Sequence, residues 1–479
     1  MSRLHSGFST SKLLGIFIGI LFGASLITSC GKEKSNQKIA TGYLTTYDGE
    51  AKLKKETIFA TDTAIANLPV IAIDPETTFQ EMDGFGYTLT GGSAMHLHKM
   101  SAPARANILQ ELFGNGENDL GISYLRVSIG ASDLDEAPFS YDDLPFGEKD
   151  PELNHFSLAH DTLDVVPMLQ EILKINPGIK ILGSPWSPPV WMKDNGDTRG
   201  GSLLPEYHQA YADYFVKYIK AMQQNGITID AITIQNEPLH PGNNPSLLML
   251  ADQQATFIKE NLGPTFKKEG IKTKIILYDH NADRPDYPIS ILDDIDAAQY
   301  VDGSAFHLYG GKIENLSQVH NAHPEKNLYF TEQWVGAPAN FEQELDWHIE
   351  NLIIGATRNW CKTVLEWNLA ADENQDPHTD RGGCDRCLGA ITITGDKVER
   401  NPAYYTIGQA SKFVKPGSHR IQSTEISSIA NVAFKTPEGN IVLIAQNKSE
   451  EEEYFKLQLN DADHILSIPP RAVMTFVFD

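Results

Sequence analysis

The sequence is poor in positive charge, and the ends of its predicted strands lack the histidine patterns that metal-dependent hydrolases use. Its 39 Lys and Arg residues stand against 63 Asp and Glu residues in a chain of 479, a formal net charge of −24. Such an excess of carboxylates leaves no extensive basic face, so we predict no nucleic-acid partner and a neutral substrate. No H-x-H or H-E-x-x-H cluster stands at the end of a predicted strand, which argues against metal-dependent chemistry. We predict no cofactor and no metal.

Cysteine is also scarce, with four in the whole chain. In an exported protein the close pair Cys384 and Cys387 predicts a small-loop disulfide. A zinc half-site is the alternative, since a histidine and two aspartates lie nearby, but no second cysteine pair follows to complete it. Cys361 has apolar neighbours and is expected to be a buried free thiol.

The apolar segment near the N-terminus is short for a membrane span and predicts export instead. It covers 15 residues, from 13 to 27, and follows the basic residues Arg3 and Lys12. Small residues then lead directly into Cys30, which is typical of a bacterial lipoprotein signal; an ordinary signal peptide with an incidental cysteine is the alternative. We predict a signal peptide at 1–30, lipidation of Cys30 and a polar tether at 31–41. The protein would lie in the cell envelope, at the outer membrane on its periplasmic or surface face, and would meet the membrane only through its lipid.

Hydrophobic patterning divides the rest of the chain into three parts. Residues 42–80 and 413–479 have the patterns of β-strands, whereas eight apolar runs alternate with amphipathic stretches between 81 and 412. The predicted barrel strands are 84–89, 124–129, 179–184, 231–235, 274–278, 303–308, 328–331 and 363–367. The predicted helices include 104–112, 163–175, 206–224, 252–269, 341–357 and 402–412. Eight such units predict an α/β fold, a (β/α)8 TIM barrel. Neither terminal β segment is large enough to fold alone, so we predict one side β-sandwich formed from both chain termini.

Two acidic residues stand at the ends of predicted barrel strands. The run 231–235 leads into Asn236 and Glu237, and Pro238 then prevents further ladder pairing. The run 328–331 leads into Glu332 in the same way. Because the strand ends of a barrel meet at one mouth, we expect these carboxylates, 332 − 237 = 95 residues apart, to face each other. A facing pair of carboxylates is what hydrolysis of a glycosidic bond requires.

Other polar and aromatic side chains follow the same strand ends. They are Arg126, Asp133, Trp186, His307, Tyr309, Trp334 and Trp367. Aromatic faces suit the C–H side of a sugar ring, and charged or amide groups suit its hydroxyls. By position Glu237 would be the general acid/base and Glu332 the nucleophile, with Arg126 lowering the pKa of Glu332. His307 is open between contacting the substrate and supporting another residue. Three further residues are expected to be structural: Trp191, Trp360 and Glu366.

Five segments closely resemble glycoside hydrolase family 30. They are SPWSPPVWMK at 184–193, QNEP at 235–238, FHLY at 306–309, TE at 331–332 and EWNLA at 366–370. The resemblance implies a barrel with a β-sandwich made from both termini, and retaining chemistry without metal or cofactor. It implies Glu237 as acid/base and Glu332 as nucleophile. The residues that it places around the sugar are Arg126, Asp133, Trp186, Asn236 and Trp367. It places Tyr309 near the nucleophile, with His307 beside it.

The resemblance departs from the glucosylceramidase branch of the family at two places. Trp334 stands where that branch has a small residue, and the loop 372–388 carries the cysteine pair. These departures leave the leaving-group side open. We predict hydrolysis of β-glucosidic bonds, with β-1,6-glucan or its oligosaccharides as the substrate. A glucosylceramidase-type glycolipid hydrolase and a non-catalytic glycan-binding lipoprotein are the alternatives. Exo and endo action are not distinguished.

Overall fold

The computed structural model describes residues 38–59, 67–460 and 462–479. The predicted signal peptide, Cys30 and positions 31–37 of the predicted tether lie outside the described residues. The predicted tether ends too late, because strand β1 (Lys38–Thr46) begins at Lys38 and not after residue 41. From Thr41 onward this strand pairs with β20 (Ala472–Phe478). Among the helices that the structure describes, none combines the length and apolar character needed to cross a membrane.

Strands and helices alternate through the middle of the chain, and strands alone occupy both ends. The strands are β1 (Lys38–Thr46), β2 (Lys54–Phe59), β3 (Val70–Glu81), β4 (Gly84–Leu89), β5 (Tyr124–Ile129), β6 (Lys180–Pro185), β7 (Ala231–Thr233), β8 (Lys274–Ala282), β9 (Val301–Gly311), β10 (Asn327–Glu332), β11 (Cys361–Asn368), β12 (Ala370–Ala371), β13 (Ile391–Thr394), β14 (Lys397–Arg400), β15 (His419–Ser423), β16 (Ile429–Lys435), β17 (Ile441–Asn447), β18 (Glu453–Leu459), β19 (Ala462–Ile468) and β20 (Ala472–Phe478). The α-helices are α1 (Gly91–Lys99), α2 (Ala102–Phe113), α3 (Val165–Ile175), α4 (His208–Gln224), α5 (Ala251–Phe257), α6 (Gly263–Glu269), α7 (Asp286–Leu292), α8 (Ile295–Ala298), α9 (Leu316–Ala322), α10 (Phe341–His348) and α11 (Pro402–Ser411).

Strands β4 to β11 form a closed barrel in chain order, parallel throughout, and β11 pairs with β4 to close it. The predicted TIM barrel is therefore confirmed. Glycine is needed where neighbouring strands approach most closely: a Cβ on Gly86 would lie 1.8 Å from the carbonyl oxygen of Tyr124. Only the fourth barrel strand is clearly shorter than predicted, since β7 ends at Thr233 and the chain turns before Gln235. Apolar side chains fill the barrel interior below the strand ends: Tyr124, Leu182, Ala231, Ile276, Ala305, Tyr329 and Leu365.

Two long predicted helices contain π-helical segments. The stretch predicted at 252–269 is α5, a π-helical segment Ile258–Leu262 and α6. Pro264 has no backbone N–H and cannot continue the α-helical hydrogen bonds, so the change of helix type falls just before it. The stretch predicted at 341–357 is likewise α10 followed by the π-helical segment Ile349–Ala356.

The terminal strands form one curled sheet beside the barrel. Its strand order is β19-β18-β3-β15-β16-β17-β20-β1-β2. Of the N-terminal strands, β3 lies between two C-terminal strands, and β1 and β2 extend the sheet beyond β20. The two ends of the sheet fold over each other, and the ring of Phe455 on β18 lies 6.1 Å from that of Phe476 on β20. Along β17, Leu443 points into this inner layer, whereas Val442 packs into the large core that includes the barrel. The predicted β-sandwich built from both termini is confirmed.

Candidate active site

Glu237 and Glu332 lie at the carboxyl ends of β7 and β10, at one mouth of the barrel. Glu332 is the last residue of β10, and both glutamates are buried, with 8% and 6% of their surface exposed. Glu237 has a left-handed backbone, with φ 46°, and its amide donates a 2.9 Å hydrogen bond to the carbonyl oxygen of Asp279. A non-glycine residue in this conformation is strained, which is common at functional sites. The strain directs the Glu237 side chain into the mouth rather than along the strand.

The two carboxylates are close together, with His307 between them. One oxygen of each glutamate and a ring nitrogen of His307 all lie within 4.8 Å of one another. The Nδ1 atom of His307 is 3.3 Å from Oε1 of Glu237 and 3.7 Å from Oε1 of Glu332. Retaining glycosidases hold their carboxyl groups about 5–5.5 Å apart, and inverting enzymes about 6.5–9.5 Å. The separation therefore favours retaining chemistry.

Arg126 is fully buried and donates to four oxygen acceptors, of which the hydroxyl of Ser184 is the most distant, at 3.3 Å. Its guanidinium donates to Oε2 of Glu332 at 2.5 Å, to Oδ1 of Asn236 at 2.6 Å and to Oδ2 of Asp279 at 2.8 Å. It also lies 4.8 Å from the ring of Trp186. A planar guanidinium with several donors fixes the acceptors in one plane. Arg126 thus holds Glu332 in a single orientation.

Asp279, on β8, is the residue that sequence reasoning missed. Its buried carboxylate accepts five hydrogen bonds, from Arg126, Ser184, Thr233, His307 and Thr331, at distances of 2.8, 2.7, 2.8, 3.1 and 2.6 Å. Despite its burial, the charge of Arg126 and the hydrogen bond from His307 hold the pKa of this carboxyl well below its usual range. Asp279 is therefore a permanent negative charge beneath the two glutamates.

The charges around His307 decide where the protons lie. Burial alone would disfavour a charged ring, but the neighbouring carboxylates of Glu332, Asp279 and Glu237 raise the pKa of His307 to about 9. Burial also raises the pKa of Glu237, yet the hydrogen bond and charge of His307 outweigh it and lower that pKa to about 2. Burial raises the pKa of Glu332, and His307 and Arg126 offset this only in part. The net shift of the Glu332 pKa is thus upward, and the expected net lowering by Arg126 is not seen.

Donor type distinguishes the two glutamates more clearly than these shifts do. Glu332 accepts from the permanent cation Arg126 and from the hydroxyl of Tyr309, at 3.0 Å. Glu237 accepts from His307, whose proton can be transferred, and from the amide of Asn243 at 3.2 Å. A carboxylate held by a fixed cation remains ionised, whereas one held by an imidazolium can take up the proton.

Aromatic rings form one wall of the mouth. The rings of Trp186 and Trp367 lie 5.4 Å apart, and Trp334 packs against the same cluster. Trp186 is 1% exposed, and its indole N–H has no hydrogen-bond partner among the described residues. A buried donor without a partner is costly. Burial raises the pKa of Asp133 to about 8, and the charges of Glu332 and Glu237 add to this shift, which places Asp133 beside the pair.

The structure joins Cys384 to Cys387 by a disulfide bond. Because each sulfur is bonded to the other, neither is a thiolate that could bind zinc, so the half-site alternative is not supported. Cys361 is a buried free thiol, as expected.

The predicted structural residues lie apart from the two glutamates. Glu366 pairs with His348 at 2.7 Å on the outer side of β11, and the indole of Trp191 donates to the Asp142 carbonyl oxygen at 3.0 Å. Trp360 stacks on His320, with ring centres 3.7 Å apart.

Two groups of described residues have the atom types of metal ligands. One is Glu237, His307 and Glu332. In this group Arg126 and the charged His307 already supply the positive charge that a metal ion would bring. The other lies on the loop after β5 and consists of Asp142, Asp150 and His155.

A parallel barrel whose strand ends hold two facing carboxylates beside a pair of packed tryptophans is the arrangement of a glycoside hydrolase. The model of the glycosyl hydrolase family 30 TIM-barrel domain matches residues 82–414, and that of the family 30 β-sandwich domain matches 417–476. The chain belongs to glycoside hydrolase family 30, as the sequence motifs predicted.

Curated relatives and a solved structure agree with this family. The endo-1,6-β-D-glucanase of Neurospora crassa is 34% identical over 408 residues, covering 81% of this chain and 83% of the relative. The lysosomal acid glucosylceramidase of Mus musculus is 29% identical over 424 residues, covering 82% of this chain and 80% of the relative. A solved endo-β1,6-glucanase superposes with a TM-score of 0.85 at 34% identity and covers 92% of this chain and 99% of that chain.

Proposed function

We propose that this enzyme hydrolyses β-1,6-linked glucan or its oligosaccharides by a two-step retaining mechanism. The observation that carries the mechanism is the pair Glu237 and Glu332, with carboxylate oxygens within 4.8 Å. The substrate is supported by the likeness to proteins named as endo-1,6-β-glucanases at 34% identity, against 29% for the glucosylceramidase. The acidic net charge of the chain suits a neutral glycan better than an anionic one.

In the first step Glu332 attacks the anomeric carbon and forms a covalent glycosyl-enzyme. Arg126 and Tyr309 hold the attacking carboxylate from two sides and leave it little freedom to rotate. Glu237 donates a proton to the glycosidic oxygen, so that the leaving sugar departs as an alcohol. In the second step the ionised Glu237 takes a proton from water, the water oxygen bonds to the anomeric carbon, and Glu332 is released.

His307 supplies the proton that Glu237 needs at the start. In the resting site its Nδ1 lies 3.3 Å from Oε1 of Glu237, and its raised pKa of about 9 keeps the ring protonated at neutral pH. Because the pKa of Glu237 is lowered to about 2, the proton rests on His307 and not on Glu237. It passes through Glu237 to the glycosidic oxygen only as the glycosidic bond breaks and that oxygen becomes more basic, and it returns to His307 after the second step. Glu332 retains the permanent charge of Arg126 throughout.

The glycone would rest against Trp186 and Trp367. The unpartnered indole N–H of Trp186 and the amide of Asn236, which is held by Arg126, are both available to sugar hydroxyls. Asp133 would bind the hydroxyls farther from the scissile bond. Trp334 follows Glu332 by two residues and would contact the leaving side.

We also propose that the enzyme is exported and anchored by lipid at Cys30. The apolar segment at 13–27 and the small residues before Cys30 support this proposal. Intact-mass analysis of the N-terminal peptide from the membrane fraction should find a lipidated cysteine at position 30. Cys30→Ser should release the enzyme from that fraction, and membrane retention of this variant would contradict the proposal.

The function is tested by hydrolysis of β-1,6-glucan and of p-nitrophenyl β-glucoside. We expect Glu237→Gln and Glu332→Gln each to lose more than about a thousandfold in kcat on glucan. The matched control is Glu366→Gln, a buried glutamate on β11 that faces His348, and it should retain glucan activity at temperatures below its Tm. Proton NMR should show the β-anomer of the reducing end first.

Three other outcomes would count against the proposal in different ways. Cleavage of the aryl glucoside alone would move the substrate to a small glucoside or glycolipid. An α-anomer formed first would refute the retaining mechanism. If wild type cleaved neither substrate, the enzyme would act on another glycone or only bind glycans.

A further inference from the structure

The loop 372–388 crosses the mouth of the barrel. It begins directly after β12, which follows β11, the strand that carries Trp367, and it is followed by β13. In this stretch the sequence departs from the glucosylceramidase pattern, and the stretch contains the disulfide Cys384–Cys387. Its position makes it a candidate for controlling what the site accepts.

The first half of the loop is bound to the loops that follow β5, β6 and β7. The amide of Thr379 donates to the carbonyl oxygen of Asp133 at 2.9 Å. The side-chain amide of Asn244 donates to the carbonyl oxygen and to the carboxylate of Asp380, both at 2.9 Å. Arg381 forms a bidentate pair with Asp197, at 2.9 and 3.1 Å. Three active-site loops are thus connected through one segment.

The second half, which includes the disulfide, is bound to the chain that follows Glu332. The amide of Ala337 donates to the carbonyl oxygen of Arg386 at 2.8 Å, and that of Leu388 to the carbonyl oxygen of Val335 at 3.0 Å. These hydrogen bonds are made by the residues on either side of Cys387. The disulfide therefore shapes the segment that carries Trp334.

The disulfide also packs directly on the sugar-binding wall. Cys387 is buried in one cluster with Leu134, Trp186 and Trp367, and Cys384 and Trp334 pack against that cluster. The backbone N–H of Cys384 faces the carboxylate of Asp133 and partly offsets the rise of its pKa on burial. Asp133 and the tryptophans are thus held from the same side by four consecutive residues.

The backbone of the loop is tightly packed at Gly382 and Gly383. A Cβ on Gly382 would lie 2.5 Å from the carbonyl oxygen of Gly242, and one on Gly383 would lie 2.3 Å from that of Thr379. The backbone therefore fits closely against its neighbours. Opening the disulfide would free the Cys384 amide and the Cys387 side chain together, since the short ring fixes both.

We propose that the disulfide-closed loop 372–388 is a selectivity element, which positions Asp133 to distinguish the glycone and Trp334 to hold the leaving sugar. This inference rests on the proposed function. Neither cysteine touches the reacting atoms, so both are positioning residues. An exported enzyme would acquire this element only after the pair has oxidised.

The test compares the double variant Cys384→Ser/Cys387→Ser with Cys361→Ser, which removes a buried thiol outside the loop. Each is assayed, below its own Tm, on β-1,6-glucan and on the p-nitrophenyl β-glucoside and β-galactoside, which differ at one distal hydroxyl. For the double variant we expect KM for glucan to rise about tenfold and the glucoside-to-galactoside ratio of kcat/KM to fall about tenfold. Cys361→Ser should match wild type in both values.

Treatment of wild type with a phosphine reductant gives a second measurement that needs no substitution. It should move KM and the selectivity ratio in the same direction as the double variant, and should not change the double variant further. A glucan KM and a selectivity ratio within about twofold of wild type in the folded double variant would overturn the proposal. A lower Tm with unchanged selectivity would show a stabilising role only, and would also overturn it. Failure of the proposed function would appear differently, as inactivity of wild type itself.

Discussion

The buried carboxylate of Asp279 offers the sharpest test of how the site is held together. In Asp279→Asn one acceptor oxygen becomes an NH2 group, which donates. The better orientation keeps the oxygen toward Arg126 and turns the NH2 group toward His307 and Thr331. Two of the five donors then lose their acceptor, and Thr331 has only the distant carbonyl oxygen of Phe306, at 3.4 Å, as an alternative. A hydrogen bond to a charged group contributes about 1.5–3 kcal/mol, so the loss is about 3–5 kcal/mol.

That loss should appear both in stability and in catalysis. Without the negative charge of Asp279, the pKa of His307 falls, and the proton that Glu237 requires is less available at neutral pH. We expect the free energy of unfolding in urea to fall by about 3–5 kcal/mol and kcat on the aryl glucoside to fall about a hundredfold. The alkaline limb of the pH–kcat profile should move to lower pH.

The control is Asp302→Asn, at the other end of the barrel. Asp302 lies at the start of β9, where it accepts from the Tyr329 hydroxyl at 2.6 Å and from the Asn327 amide at 2.9 Å. This variant should lose stability but keep its kcat and its pH profile. If Asp279→Asn kept kcat within about threefold of wild type with the same alkaline limb, the reasoning about His307 would be refuted.

Three further predictions concern the buried pair on β11, the barrel backbone and the leaving side. His348 is buried, and the charge of Glu366 raises its pKa to about 9, against the effect of burial. Protonated His348 contributes its full stabilisation below about pH 6.5, and that contribution is lost as the pH rises through 9. Between pH 6 and 10 the free energy of unfolding of wild type should therefore fall by about 3 kcal/mol more than that of the double variant His348→Gln/Glu366→Gln. A parallel pH dependence of the two proteins in urea unfolding would contradict this. Gly86→Ala should lower the free energy of unfolding by more than about 4 kcal/mol or prevent folding. Gly178→Ala should change it by less than about 0.5 kcal/mol, because the nearest atom to the added Cβ is Oδ1 of Asn176, at 3.7 Å. Equal Tm values for the two variants would refute the steric argument. Trp334→Ala should raise KM for β-1,6-glucan about tenfold and leave kcat on the aryl glucoside within about threefold, and an equal loss on both substrates would place Trp334 at the glycone instead.

The sequence predicted the barrel well because each strand end is marked by chemistry. Buried parallel strands are continuous apolar runs, and here proline, charged or amide residues follow those runs, as at Glu237 and Glu332. The sandwich was predictable because two short β segments cannot each form a core. Both inferences depend on local composition, which a single sequence contains.

Asp279 was missed because its position depends on backbone geometry rather than on composition. The apolar run on β8 ends at Tyr278, and the prediction ended there, but the strand continues to Ala282. Tyr278 and Asp279 both have positive φ, 70° and 62°, and the register with β9 shifts at this point. That irregularity turns the Asp279 side chain into the barrel. A polar triplet after the run, Asp279 with His280 and Asn281, was the available signal.

The order of strands in the side sheet has a consequence for the synthesis of the chain. β20 follows β1 in the chain by more than 400 residues, yet it lies between β17 and β1, and β18 pairs in the same way with the early strand β3. During synthesis β1 and β3 therefore wait for β20 and β18 before these edges are covered. A nascent chain stopped before Ala472 would expose the edge of β1, which is a surface for chaperones and for aggregation. Completion of the side sheet is thus tied to synthesis of the chain through β20.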